Sequence, residues 1–162
     1  MTRVLEVQVI QKPAFRAVGL RWEGTFAEAA AGGIRLVQQE LRGRLGEIAH
    51  QANPEQLLGL SYHAHPEAKG FVHYAVLEVT PEAGVPDGML DISVPTLAYA
   101  ECKHAKGQNI QETYRLIYEW ISEQGCVLNK DTEITHYEVY PMSQNPYDPD
   151  PEFTIRIPVK GL

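Results

Sequence analysis

The chain has 162 residues, 44% of them hydrophobic and 22% charged, which suits one folded domain able to bury a real core rather than a disordered or low-complexity segment. Its net charge of -7 at pH 7, with Lys103, His104 and Lys106 as the densest basic group, excludes a dedicated nucleic-acid surface, because neutralising phosphates needs clustered Lys and Arg. Cys102 and Cys126 lack metal-ligand spacing and are too few for a disulfide framework, and no apolar run reaches the length of a signal-peptide core or a membrane span, so a reducing cytoplasm is expected, with no membrane partner.

In chain order, Val4 to Lys12 reads as a strand, and Pro13 interrupts it. Phe15 to Trp22 is a second extended run. Glu23-Gly24 turns the chain, and Thr25 with Glu28 has the spacing of a capping box. A helix follows, with Ile34, Val37, Leu41, Leu45 and Ile48 forming one amphipathic stripe. Gly32-Gly33 weakens its first turns, so its true start lies near Gly33. After Asn53-Pro54, Leu57 to His63 reads as a short strand, His65 to Gly70 as a loop, and Phe71 to Val79 as a strand.

Residues 81–88 are rich in Pro, Gly and Asp and read as a linker. Ile92 to Lys103 is an extended run with Pro95 early in it. Asn109 with Glu112 has N-cap spacing. The helix that follows presents Ile110, Tyr114, Ile117 and Ile121 as a stripe, with Gly125 placed to close it in the left-handed conformation. Glu133 to Tyr140 and Phe153 to Val159 are the last two strands. On the first of them His136, Glu138 and Tyr140 share one face and Tyr137 and Val139 the other.

The two halves repeat one order: strand, turn with Gly, helix, strand, loop, strand. The fold expected is α+β, a single domain over 1–162. Its two β-α-β-β repeats span about 4–80 and 92–160, joined by a linker over 81–91. Together they form one antiparallel sheet with two helices on one face and a ligand groove on the other.

The order and several motifs resemble the GyrI-like effector-binding domain over essentially the whole chain. Lys12 to Arg21 is similar to the opening strand of that family, and Gly59-Leu60-Ser61-Tyr62-His63 to its Gly-aliphatic-x-Tyr-polar strand. Ala98-Tyr99-Ala100, Gly107 and Ile117 to Ile121 resemble the second repeat. Tyr137-Glu138-Val139-Tyr140 resembles the aromatic-Glu-x-Tyr strand, and Ile155 to Val159 the closing strand. The family includes ligand domains of multidrug-responsive bacterial transcription activators and gyrase-inhibitor-type proteins. The resemblance implies that Glu138 projects into a groove and reads bulky, often cationic aromatic ligands. In some relatives the matching Glu is a general acid/base in hydrolysis of cyclopropane-bearing genotoxins. The family's closing strand usually has Tyr where this chain has Arg156, and a regular last hairpin would place Arg156 on the face of Glu138.

Two readings of Glu138 follow: a groove carboxylate, or one half of an ion pair with Arg156 that leaves the groove near neutral. Tyr140 and Tyr62, on equivalent strands of the two repeats, either wall the groove for a flat ligand or pack at the sheet surface. Trp22 either lines the mouth of the groove or fills core or edge. His136 shares the Glu138 face, where it orients the carboxylate or meets solvent. His63, His65 and His73 lie on one hairpin without an acidic or thiol ligand to complete a set, so no metal and no cofactor are expected. Residues 145–151 read as a turn-rich loop, with a lid as the alternative.

The expected function is binding of a small hydrophobic or aromatic molecule between the repeats, as a stand-alone effector-binding or sequestering protein. The rivals are a hydrolase using Glu138, and a protein–protein module whose partner is a topoisomerase. With no DNA-binding segment in the sequence, regulation would need a separate DNA-binding chain.

Overall fold

Thr25 and Glu28 satisfy each other as their spacing demands. The Glu28 amide donates to Thr25 Oγ1 at 3.1 Å, and the Thr25 amide donates to the Glu28 carboxylate at 2.8 Å. In this computed structural model, which describes residues 6–65, 67–145 and 148–160, that box starts only a short helix, α1 (Phe26–Ala30). Gly32, at φ +117°, then resets the backbone into a conformation that favours glycine, and α2 (Gly33–Arg42) begins. The helix start expected near Gly33 is that of α2, the capping box heads a separate short helix, and the expected continuation through Ile48 stops at Arg42, followed by one 3-10 turn at Leu45–Glu47. The expected stripe still holds: Val37, Leu41 and Ile48 are buried together.

The strands before and after follow their alternation. β1 (Val7–Lys12) and β2 (Phe15–Gly24) are divided by Pro13-Ala14, and β3 (Gln56–Tyr62) and β4 (Phe71–Val79) follow α2. The expected start at Val4, and Pro66 in the loop between β3 and β4, lie outside the described residues. The chain re-enters the sheet at Leu90, earlier than the linker reading allowed. The run around Pro95 is two strands, β5 (Leu90–Val94) and β6 (Leu97–His104), since proline has no N–H to continue a ladder. Asn109 caps α3 (Ile110–Glu123) by accepting the Glu112 amide at 2.9 Å, and Gly125 at φ +75° ends it. β7 (Val127–Leu128), β8 (Ile134–Pro141) and β9 (Phe153–Lys160) complete the described elements.

The long strands form one antiparallel sheet in the order β1-β6-β9-β8-β3-β4-β2-β5, with β7 added beside β9. This order reads alike from both ends: β2, β3 and β4 occupy the places that β6, β8 and β9 hold in the other half. The outer strands are exchanged. β1, from the first half, pairs with β6, and β5, leading the second half, pairs with β2. Two-residue links, 13–14 and 95–96, thus join strands at opposite ends of the sheet. Such links bridge three Cα–Cα steps, at most about 11 Å, so the sheet must curve until its ends approach. The Ala14 amide donating to Thr96 Oγ1 at 2.9 Å and the Lys12–Glu78 ion pair at 3.1 Å tie those ends together.

Both α2 and α3 pack on one face, as the repeat order predicts for this α+β class. α2 covers Val18, Leu20, Leu57, Ala75 and Leu77. α3 covers Ala100, Cys102, Phe153, Ile155 and Ile157. The opposite face lines the inside of the curve and fills with Phe15, Leu58, Leu60, Tyr99, Tyr137 and Val139. Among the described residues no helix is long and apolar enough to cross a membrane.

The helix-covered face carries a row of polar side chains across four strands: Trp22, His73, Ser61 and His136. His73 is fully buried, its Nδ1 3.0 Å from Ser61 Oγ. Burial pushes its pKa down to about 3 and that of His136 down to about 4, from a usual 6.5. Buried His104, bonded to Thr113 Oγ1, shifts in the same direction. The folded chain therefore holds these imidazoles neutral while the unfolded chain protonates them. Stability is complete above about pH 6.5 and declines toward pH 4, at up to about 1.4 kcal/mol per pH unit for each histidine. Urea melts between pH 7.5 and 5 should show this loss, and His73→Gln should flatten it.

Candidate functional site

Glu138 sits at the middle of β8 between Gly59 on β3 and Ile155 on β9. Its side chain rises from the helix-covered face, where a lone carboxylate would be costly. Two phenols answer that cost. Tyr114, from the apolar stripe of α3, donates to Glu138 Oε2 at 2.6 Å, and Tyr140, two residues along β8, donates to Oε1 at 2.6 Å. Burial pushes the Glu138 carboxyl pKa up, and the two phenol bonds pull part of the shift back. Burial first, and the carboxylate's charge second, push both phenols well above their usual range.

Gly59, directly opposite Glu138, has no side chain because none fits: a Cβ there would lie 2.8 Å from Cε1 of buried His73. His136, next on the same face, meets the Tyr114 ring edge-on at 5.1 Å, so it packs against the phenol that holds Glu138.

Above the triad lies an open groove of about 760 Å³. One wall is α1 and α2, through Ala29, Ile34, Arg35, Gln38 and Arg42. The other is the start of α3, through Asn109 and Ile110, with Phe153 of β9. Glu138 and Tyr140 form its floor, and Asp148 to Pro151 close one end. That end is pinned to the turn before α3. Lys106 pairs with Asp148, and the Gly107 amide donates to Asp150 Oδ2 at 2.8 Å. The lid alternative for 145–151 also involves Pro146 and Tyr147, which lie outside the described residues.

The groove is thus on the helix side of the sheet, between the helices, and not on the opposite face as the alternation suggested. Of the residues singled out from sequence, Glu138 and Tyr140 come together here. Tyr62 does not. It lies on the far face with Leu58 and Leu60, edge-on to Tyr74 at 5.4 Å. Trp22 is on the helix side but is spent on packing. It meets Phe71 at 5.4 Å and covers Gly33, whose Cβ would lie 2.7 Å from the indole nitrogen.

Arg156 is not a partner of Glu138 either. β8 and β9 pair Tyr137 with Arg156 and Glu138 with Ile155, so the guanidinium points to the opposite face. It donates to Glu101 at 2.8 Å and to the Tyr137 hydroxyl at 2.8 Å. The hairpin between these strands is long, and its offset shifts the pairing by one residue, which reverses the faces. Sequence reasoning misses Gln38, Arg35 and Arg42, and places Tyr114 only in the apolar stripe of its helix. A phenol inside an apolar helical stripe is the signal for Tyr114, since a buried Tyr hydroxyl needs a partner. No group of three or more metal-ligating side chains exists among the described residues.

No functionally curated protein matches the chain in sequence. Among solved structures, the C-terminal domain of EcmrR superposes with a TM-score of 0.72 at 12% identity, covering 99% of this chain and all 100% of that one. In the EcmrR–DNA complex this chain spans 58% of the EcmrR chain. SAV2435 bound to tetraphenylphosphonium gives 0.66 at 14% identity, covering 96% and 94%. A hydrolase from Listeria innocua gives 0.55 at 12% identity, covering 96% and 92%. These likenesses establish the fold, and the sequence establishes the family: residues 5–160 match the GyrI-like small molecule binding domain, and the chain belongs to that family.

Proposed function

We propose that the groove between α2 and α3 binds a small aromatic or hydrophobic molecule over the Glu138 floor, in an effector-binding or sequestering role. The observation that carries this reading is the carboxylate held by two phenols at the bottom of a 760 Å³ groove rimmed by Ile34, Ile110 and Phe153. A pocket of that volume suits a drug-sized ligand, whereas a protein–protein module needs no such cavity. SAV2435, of the same fold, is seen with an aromatic phosphonium, which supports the ligand class.

The test is calorimetric or fluorescence titration of a confirmed aromatic ligand. Tyr140→Ala should weaken binding by about 1–2 kcal/mol, the scale of lost stacking and apolar area. Tyr62→Ala, on the far face, should leave affinity unchanged. The reverse pattern would move the site to the inside of the curved sheet.

A second reading, hydrolysis with Glu138 as general acid/base, is favoured by one observation: burial raises the Glu138 carboxyl above its usual pKa. The two readings separate on Glu138→Gln. A hydrolase loses turnover while still binding substrate, and a binding protein has no turnover to lose.

A further inference from the structure

The arginines of the described residues divide by their partners. Arg16, Arg21, Arg44, Arg115 and Arg156 each sit within ion-pair distance of a carboxylate. Arg35 and Arg42 have no carboxylate partner among the described residues, and both line the groove. Arg42 is half-buried, and its one bond among the described residues is a contact of 3.3 Å to the Met142 carbonyl. Among the described residues Arg35 reaches only the Asp148 carbonyl, at 3.5 Å. A guanidinium carries five N–H donors in a planar fork, so most of the donor capacity of the exposed Arg35 and the half-buried Arg42 is not taken up by the described residues. With Gln38, the two form a stripe at i, i+3 and i+7 along α2, and the arginines stand about 10 Å apart along the helix axis.

The acidic side chains at the closed end quench this wall only in part: the Asp148 carboxyl is lowered first by Lys106 and the Asp150 amide, and more weakly by the charge of Arg35. Asp148 is engaged by Lys106 and the Asp150 amide, and Asp150 by the Gly107 amide. Glu138 is engaged by two phenols at the floor. Burial without a compensating anion lowers the pKa of Arg42, in the sense expected of a cation awaiting a counter-charge.

We propose that the natural ligand of this groove is an aromatic molecule carrying an acidic group, an organic acid or zwitterion, whose anion is gripped by Arg35 and Arg42 while its ring lies over Tyr140 and Glu138. The proposal rests on the groove being the binding site. It separates this chain from a receptor for simple lipophilic cations, because two cationic forks on one wall repel such ligands as they enter.

The experiment compares a rhodamine ethyl ester, a monocation, with its free acid, a zwitterion of the same aromatic frame. Both are titrated by fluorescence anisotropy against wild type, Tyr140→Ala, and the double variant Arg35→Gln/Arg42→Gln. Wild type should prefer the acid by about tenfold or more, the yield of one charge-assisted fork. The double variant should lose that preference and bind the ester more tightly than wild type does. Arg42→Lys, which keeps the charge without the fork, should retain only part of the preference. Equal affinity for the two dyes in wild type, both weakened by Tyr140→Ala, would overturn the acidic-ligand proposal and leave the groove reading standing. Failure of both dyes to bind wild type would overturn both. A preference for the acid that survives in the double variant would show that the anion is read elsewhere, and would overturn the assignment to α2.

Discussion

Gly19→Ala is expected to destabilise the fold by about 3 kcal/mol or more, the upper range of overpacking in a close-packed interior. Gly19 lies in β2, between β4 and β5. A Cβ at this position would stand 2.0 Å from the Ala75 carbonyl oxygen and 2.7 Å from Val76 Cα. Those atoms are backbone of β4, which is paired on both sides, to β2 and to β3. No flexible side-chain tip can swing away, so either β4 shifts or the strand pair opens. Gly84→Ala is the matched control. Its Cβ meets nothing within 4 Å, and removing glycine's freedom from the unfolded chain there should be neutral or stabilise by up to about 1 kcal/mol. Urea denaturation of the two variants reads the difference as a shift in midpoint at constant slope. A Gly19→Ala protein that melts with wild type would show that β2 and β4 do not approach as described.

Glu101→Leu should cost about 2–4 kcal/mol, since it strands the Arg156 guanidinium in a mostly buried position. The two side chains are only 16% and 19% exposed, on the face of the sheet away from the helices. Arg156 also lies over the Tyr137 ring at 5.4 Å and donates to its hydroxyl. Glu101 in turn accepts from Gln8 of β1 at 2.9 Å, so the network ties β1, β6, β9 and β8 in one line. Replacing both members, Glu101→Leu with Arg156→Met, should recover most of the loss, because desolvating an ion pair offsets much of its attraction. A double-mutant cycle gives the coupling directly. Ligand affinity should not follow stability in this series, since the pair lies across the sheet from the groove. If Glu101→Leu proves neutral, water screens the pair and Arg156 is a surface residue.

The elements were legible wherever local chemistry decides. The Thr25–Glu28 box, the Asn109 cap, the alternation of Phe71–Val79 and the left-handed Gly125 each follow from a few neighbouring residues. The class of fold followed from the repeated order of those elements. What stayed hidden depended on how strands meet over long loops. Arg156 was assigned to the wrong face because matching polar face to polar face presumes that the sheet has a dry side and a wet side. Here Glu138 pairs across with Ile155, since its face lies under helices and is polar only at Glu138 and along the row from Trp22 to His136. Tyr62 misled for a related reason. β3 is apolar on both faces, through Leu57, Leu58 and Leu60, so its parity carried no sign. The arginines of α2 were visible as letters, but their lack of a carboxylate partner among the described residues is a property of three dimensions alone.

The exchange of outer strands sets the order in which the chain can mature. β2 cannot complete its ladder until Leu90–Val94 has been synthesised, and β1 waits for Leu97–His104. During that interval each half presents an open ladder of unpaired N–H and C=O groups, a template for any compatible strand nearby. Pairings so distant in sequence form slowly, because loop closure must precede the contacts that reward it. A nascent or partly unfolded chain can satisfy the same ladders with the β1 or β5 of a second copy, giving a strand-swapped dimer that differs from the monomer only at the two short links. Refolding yield should therefore fall as protein concentration rises, and the by-product should be a dimer that returns to monomer only through unfolding.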